Sequence, residues 1–392
     1  MRPNPRVTML LENNAYPEDV RVRREAESLR DDGWDVHVIA PRGSRQPARE
    51  LVDGVRVERF RLPPEREGAG ALVLEYLVAN VQLHVRAARA LLRGARVLHL
   101  HNPPDTLFLA GALARALGRA VVFDLHDLAP ELFAEKFGGR AVERVLRAFE
   151  RWSARVASAV VVTNASAREQ VLARDGVAAE RVTIVRNGPL AATIVPAPQL
   201  RDGALHDPRL VFVGSMESQD GVDELPALLA AVREQHGLSG ATLTCVGDGG
   251  RRAAVAAACR AAGVGGAVTF TGTVAHADIP ALLAVADVCV DPAPPGPLND
   301  RSTMIKVAEY LAAGRPLVAH PLLETRRTAG EAAAYAAAPG AQGLAATVAA
   351  LAADPARRRA LAEAGLARVR RLTWERSAEE LLHVYAPLRQ CA

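Results

Sequence analysis

The chain has 392 residues, 49% hydrophobic and 23% charged, with a formal net charge of +4. This excludes a disordered polyelectrolyte and suits two domains, each large enough to bury its own core. Residues 1–190 hold 29 Lys and Arg against 24 Asp and Glu, and the remainder 19 against 20. The basic excess in the first half suits a phosphate-bearing ligand or an anionic membrane face, but it is far too dilute for a nucleic-acid footprint.

Short β-branched runs alternate with Ala/Leu/Arg-rich helical stretches along the whole chain, the pattern of parallel βαβ units and hence of an α/β class. In the first half the spacing predicts strands at 7–11, 36–40, 55–60, 97–100, 120–125, 159–163 and 182–185, with helices at 21–32, closed by Gly33, and at 140–155. Residues 190–208, which include Pro196, Pro198 and Pro208, lack periodicity and read as an interdomain linker. Strands then follow at 210–213, 241–246, 268–270, 288–290 and 316–319, and the Ala-rich run 332–353 reads as helix. No run of 18 uncharged apolar residues and no signal-peptide core occurs, so the chain is expected to be cytoplasmic. Cys245, Cys259, Cys289 and Cys391 lack metal-ligand spacing and support neither a zinc site nor a disulfide framework. Two doubly wound sheets imply ligands at the carboxyl ends of their strands, in a cleft.

The richest chemistry lies in Asn299-Asp300-Arg301-Ser302-Thr303-Met304-Ile305-Lys306-Val307-Ala308-Glu309-Tyr310. Ser302 and Thr303 are good N-cap residues, and the start of a helix offers free N–H groups and partial positive charge to an anion. All but two of the 48 basic residues are arginine, the exceptions being Lys136 and Lys306. Lys306 in the first turn therefore stands out as a compact charge for a diphosphate. Glu309 falls on the same helix face, suited to the vicinal hydroxyls of a sugar; the plain alternative is a solvated Lys306–Glu309 pair. His126 ends a predicted strand among Asp124, Asp127 and Glu131, carboxylates able to fix its tautomer and to bind hydroxyls. Asn14, Asp19, Arg21 and Asn102 fall in neighbouring loops as acceptor contacts, although for Asp19 and Arg21 a surface ion pair is an equal reading. Gly247-Asp248-Gly249-Gly250 lacks the full dinucleotide spacing and reads equally as a phosphate loop or a tight turn. Arg86, Arg89, Arg93 and Arg144, Arg147, Arg151 recur at helical spacing, consistent with a solvated face or peripheral membrane contact.

The Ser302–Tyr310 segment, with Gly247-Asp248-Gly249 and Phe270-Thr271-Gly272, resembles the donor-binding half of retaining GT-B glycosyltransferases of family 4. Glu12-Asn13-Asn14-Ala15-Tyr16-Pro17-Glu18-Asp19-Val20-Arg21-Val22, His101-Asn102-Pro103-Pro104-Asp105 and the stretch from Phe123 to Glu131 are similar to the family's surface-polysaccharide members. The resemblance implies two Rossmann-like domains facing across a cleft. An acceptor domain would span 1–189 and a nucleotide-sugar domain 209–371, with 372–392 forming a helix that returns to the first. It implies Glu309 on the ribose, and the amides of Ser302, Thr303, Met304, Ile305 and Lys306 around the diphosphate. Gly214, Ser215, Gly247 and Thr271 would lie on the donor side, Asn14, Asp19, Arg21, Asn102 and Asp127 on the acceptor side, and His126 would face the sugar. The sequence departs from the usual pattern at Arg301, where many members have Glu, and at Ser215 and Asp220, where many have Arg and Lys. Lys306 is the compensating charge.

The implied reaction is metal-independent, retaining transfer from a nucleotide-diphosphate sugar to a hydroxyl of a glycan, lipid-linked or specialised-metabolite acceptor. A UDP-sugar is favoured over a GDP-sugar, and neither a cofactor nor a nucleic-acid partner is implied. The alternatives are a nucleotide-sugar epimerase and a non-catalytic nucleotide-sugar-binding partner protein.

Overall fold

The computed structural model describes residues 4–43, 45–63, 69–137 and 140–389, so Cys391 lies outside the described residues. The chain divides into two compact units, Met1–Arg186 with Ser377–Ala392, and Asn187–Arg376. In chain order the first unit contains β1 (Arg6–Leu10), α1 (Val20–Asp31), β2 (Asp35–Pro41), β3 (Arg49–Val52), β4 (Val55–Phe60), α2 (Ala69–Leu92), β5 (Val97–His101), α3 (Phe108–Ala116), β6 (Ala120–Leu125), α4 (Ala129–Phe137), α5 (Arg140–Val156), β7 (Ala159–Val162), α6 (Ala165–Gln170) and β8 (Val182–Ile184). Its sheet runs β3-β4-β2-β1-β5-β6-β7-β8, parallel except for the β3–β4 hairpin. The order reverses direction between β1 and β5, which makes the loops after those strands the natural ligand-facing loops.

The second unit contains β9 (Arg209–Val213), α7 (Leu225–Glu234), β10 (Thr242–Val246), α8 (Arg252–Ala261), β11 (Val268–Gly272), α9 (Ile279–Ala284), β12 (Val288–Asp291), α10 (Ile305–Ala312), β13 (Leu317–Ala319), α11 (Leu323–Ala329), β14 (Ala333–Tyr335), α12 (Gly340–Ala353) and α13 (Pro355–Val369). A last helix, α14 (Trp374–Tyr385), begins in this unit and continues in the first. The second sheet is wholly parallel in the order β11-β10-β9-β12-β13-β14, with its switch point between β9 and β12. Both faces are covered, so strands such as β12 and β13 are buried at every residue and read as continuous apolar runs. Among the described residues no helix is long and apolar enough to cross a membrane.

Three details differ from the sequence reading. Strand β3 escaped it because Arg49–Val52 is an edge strand with exposed and half-buried residues in alternation, carrying no apolar run. Its only signal was the Asp53-Gly54 turn, where both residues take positive φ (46° and 81°), the conformation of a tight hairpin turn. The Ala-rich run is not all helix: Ala333–Tyr335 forms the edge strand β14 before α12 starts. Ala favours helix by itself, but here pairing with β13 decides.

Residues 190–208 are not a free tether either. Val195 N donates to Ala312 O (3.0 Å) and Leu205 N to Ala352 O (2.9 Å), while Arg201 pairs with the buried Asp287 at 2.8 Å, strapping the segment onto the second unit. Within that unit Gly188 lies so close to residue 372 that a Cβ would sit 1.8 Å from the Leu372 carbonyl oxygen. Next to it Trp374 N donates to Pro189 O (2.9 Å).

Candidate functional site

In the second unit the loops after β9, β10 and β11 are stitched together along the carboxyl edge of the sheet. Gly214 N donates to Val246 O (3.0 Å), Met216 N to Asp248 O (2.9 Å) and Gly247 N to Gly272 O (3.1 Å). Gly247 has φ 132°, and a Cβ there would fall 2.0 Å from the Gly214 carbonyl oxygen; only glycine allows this approach. Gly214, the exposed Ser215 and Gly247 therefore occupy adjacent loops, beside Thr271 at the end of β11, on one edge.

Helix α10 completes that edge. Tyr310 Oη accepts from Val213 N (2.8 Å) and donates to Val290 O at 3.4 Å, pinning the helix to the ends of β9 and β12. Lys306 is only 6% exposed. Its Nζ lies 2.7 Å from Asp220, 3.6 Å from Asp291 and 4.7 Å above the Phe212 ring, and a Cβ on Gly214 would meet its Cε at 3.0 Å. The ammonium is thus beneath the Gly214 loop and already faces two carboxylates, partners the sequence pattern did not show. Burial raises the Asp291 pKa against the lowering pull of Lys306.

The helix start also differs from expectation. Helix α10 begins at Ile305 with Met304 as an N-cap that makes no side-chain capping bond, so Ser302 and Thr303 do not cap it. Buried Asn299 anchors a short turn by donating to Gln219 O and Pro294 O (2.9 Å each), and within that turn the Ser302 hydroxyl donates to Leu298 O (2.9 Å). The amides at the start of the helix have no intrahelical acceptors. Glu309 lies 3.7 Å from His276, a neighbour the sequence reading missed, and Lys306 turns to Asp220 and Asp291 instead of making the solvated pair with Glu309.

In the first unit a buried polar cluster underlies His126, which follows β6. Arg21 grips Asp124 with two bonds of 2.7 and 2.8 Å, donates to Val185 O (2.9 Å) and lies 3.1 Å from Glu25. His101 Nδ1 and His126 Nδ1 both donate to Asp124 Oδ2, at 3.0 and 3.1 Å. His99 stacks on His101 with centroids 4.2 Å apart, and its Nδ1 is 2.8 Å from the Tyr385 hydroxyl of α14. Glu25, His99, His101 and Asp124 each offer a metal-ligand atom, all within 4.8 Å of one another, but the Arg21 guanidinium already bridges both carboxylates and supplies the cation.

The protonation pattern follows from these contacts. Burial favours neutral Asp124, yet Arg21 and His126 outweigh it and hold the carboxyl well below its usual range. Burial likewise disfavours charged His126, but the charge of Asp124 and its hydrogen bond raise the imidazole to about 9. His126 is therefore an imidazolium at neutral pH, with Nδ1 committed to Asp124 and Nε2 left to donate. His99 and His101 are held neutral chiefly by burial.

Several acceptor-side expectations are corrected here. Arg21 belongs to the buried cluster, neither a surface pair nor a ligand contact. Asn102 is fully buried: its Oδ1 accepts from the amides of His126 (2.8 Å) and Asp127 (3.1 Å), and its Nδ2 donates to Asp127 O (2.8 Å). Asp19 caps α1 through Val22 N (2.9 Å) and sits 3.4 Å from exposed Asn14. Glu131 turns to Arg174 (2.8 Å) instead of His126. Glu12, the first residue of the Glu12–Val22 motif, is buried just after β1, and burial followed by the charge of Glu75 raises its carboxyl to about 7.

Residues 19–188 match a family model described as a glycosyl transferase 4-like domain, and residues 207–354 match one described as glycosyl transferases group 1. The chain belongs to glycosyltransferase family 4. It is 28% identical over 302 residues to a glycogen synthase of Mycobacterium tuberculosis, covering 73% of this chain and 70% of that one. It is 26% identical over 296 residues to an alpha-D-kanosaminyltransferase of Streptomyces kanamyceticus, covering 71% and 74%. In structure it resembles a sucrose-phosphate synthase from Thermosynechococcus elongatus, with a TM-score of 0.75 and 20% identity over 99% of this chain and 100% of that one. It also resembles Anabaena HepE in complex with UDP-glucose, with a TM-score of 0.70 and 17% identity over 97% and 99%. These likenesses give the glycosyltransferase the GT-B fold.

Two outcomes are expected of this family 4 glycosyltransferase. Tyr310→Phe leaves the buried Val213 amide without its acceptor and lowers stability by about 1–3 kcal/mol, read by urea denaturation. His126, raised above its ordinary 6.5, contributes stability that is complete below about pH 6.5 and lost as pH rises through about 9. The stability advantage of the wild type over His126→Gln in thermal unfolding therefore shrinks between pH 6.5 and 9; a constant difference across that window contradicts the assignment.

Proposed function

We propose that the enzyme transfers a hexosyl unit from a UDP-sugar, with retention, to a hydroxyl of a sugar-bearing acceptor, the second unit holding the donor and the first the acceptor. The observation that carries this reading is the gathering of the Gly214 and Gly247 loops, the open start of α10 and Lys306 on one edge of the second sheet, an arrangement suited to a diphosphate. UDP is favoured as the carrier because HepE, a neighbour of the same fold, is seen with UDP-glucose.

In this reading Glu309 accepts from the ribose hydroxyls. The amides of Ile305 and Lys306 and of the Gly214–Ser215 turn hold the diphosphate, with Gly247 and Thr271 lining the same edge. Because Asp220 and Asp291 share the ammonium of Lys306, the backbone amides carry more of the leaving-group charge than a free lysine would leave to them, and Lys306 keeps those carboxylates from repelling the donor. His126, as an imidazolium, donates from Nε2 toward the transferred sugar and is not the base. A donor phosphate oxygen takes the acceptor proton as the new glycosidic bond forms and the bond to the diphosphate breaks. Asn14 and Asp127 are the acceptor contacts, while Asp19, Arg21 and Asn102 act by holding the loops that present them.

A second reading, nucleotide-sugar binding without turnover, is favoured by one observation: the two carboxylates already on Lys306. Incubation with a panel of UDP-sugars separates the two. Release of UDP only when an acceptor sugar is added supports transfer, and binding of UDP-sugar without UDP release supports the second. Lys306→Ala is expected to cut turnover about 100-fold or more, and wild-type rates in that variant remove its role. Glu309→Ala is expected to weaken UDP binding with little change in kcat, measured by calorimetry and steady-state kinetics.

A further inference from the structure

We infer that the first unit carries a second anion site, at the amino-terminal edge of its sheet, for a small phosphate compound with two or more negative charges. The last turns of α2 and the β3–β4 hairpin border an open concavity of about 620 Å³ there, within the range of small-molecule sites. Its wall holds six arginines, Arg6, Arg49, Arg56, Arg86, Arg89 and Arg93, against two glutamates, Glu50 and Glu58. A second concavity beside it shares Arg6, Arg56 and Arg93 and adds Arg30, Arg96 and Arg119.

The edge is fixed by chain position. Arg6 opens β1, Arg56 is the second residue of β4, and Arg96 and Arg119 immediately precede β5 and β6. His126 follows the other end of β6, so this cavity lies at the opposite end of the sheet from the acceptor-side loops.

The acids present are already engaged. Glu58 lies 3.2 Å from Arg86 and 3.6 Å from Arg49, Glu50 pairs with Arg59, and Asp35 of the neighbouring concavity pairs with Arg6 and Arg56. Among the described residues Arg89 and Arg93 have no carboxylate partner. His37 adds no positive charge, since burial holds its pKa down to about 4. The arginines of α5 at the same helical spacing behave differently, Arg147 turning to Glu143 and Arg151 toward Asp175. The wall is thus more positive than the net +4 of the chain would lead one to place in one cavity. Guanidinium forks clustered along a concave wall suit the oxygens of a phosphate, and a dianion relieves their mutual repulsion.

The test uses the full chain with inorganic pyrophosphate as the probe, the donor site being saturated with UDP, and compares wild type with Arg89→Glu/Arg93→Glu by calorimetry and thermal unfolding. Expected are saturable pyrophosphate binding by the wild type, at least a tenfold loss of affinity in the variant, and unchanged UDP affinity and basal turnover in both. No pyrophosphate binding by the wild type, or equal binding by both proteins, overturns the site. Sedimentation with phosphatidylglycerol vesicles separates a lipid headgroup from a free phosphate compound. Vesicle binding that depends on Arg89 and Arg93 without pyrophosphate binding overturns the small-molecule assignment.

Discussion

The bidentate Arg21–Asp124 pair is the constraint on which the first unit's chemistry depends. Both side chains are almost wholly removed from water, where a carboxylate stripped of its partner costs about 3–5 kcal/mol. The pair persists because its remaining valences are filled: Arg21 also reaches Glu25 and the Val185 carbonyl, and Asp124 takes His101 and His126. Strand β6, helix α1 and the residue after β8 are thereby tied to one point. The same carboxylate makes His126 a cation, converting a residue that would titrate near neutrality into a hydrogen-bond donor. Tyr385 of α14 reaches the cluster through His99, so a residue near the end of the chain helps to set the environment beneath a loop near its middle.

The second unit uses a related device in reverse. There the buried cation is a single lysine flanked by Asp220 and Asp291, and Tyr310 locks the helix that carries it. The family resemblance places a lysine at position 220 in many members, and this chain places an aspartate there. Here the cation comes from α10 instead, with the Lys306 ammonium 2.7 Å from Asp220. Under the proposed donor assignment, its opposition by two carboxylates shifts the work of holding a diphosphate toward backbone amides, which stay fixed whatever the pH.

Charge is therefore placed by the ends of the sheets. In both units the carboxyl ends hold paired, buried charges beneath loops, whereas the amino edge of the first sheet exposes arginines in excess over acids. Parallel sheets bury both faces, which leaves their two edges as the places where polar function can be built.

The alternation of β-branched and helical runs by itself determined the α/β class, and it located most strands to within a residue or two because buried parallel strands are continuous apolar runs. His126 was legible as a polar residue at a strand end, Lys306 and Glu309 as charges on one face of a helix start, and Gly247 as part of a glycine turn, whereas Gly214 was marked only by the family resemblance. Local pattern did not reveal β3, whose residues face water, or β14, whose alanines become a strand only through β13. Nor did it reveal that Arg21, Asn102 and Asp19 position loops, that Lys306 meets Asp220, or that Glu309 meets His276. Each of these is a pairing between residues far apart in the chain. A sequence states which groups must be buried, but only the packing of one element on another decides which opposite charge or hydrogen-bond partner each buried group finds.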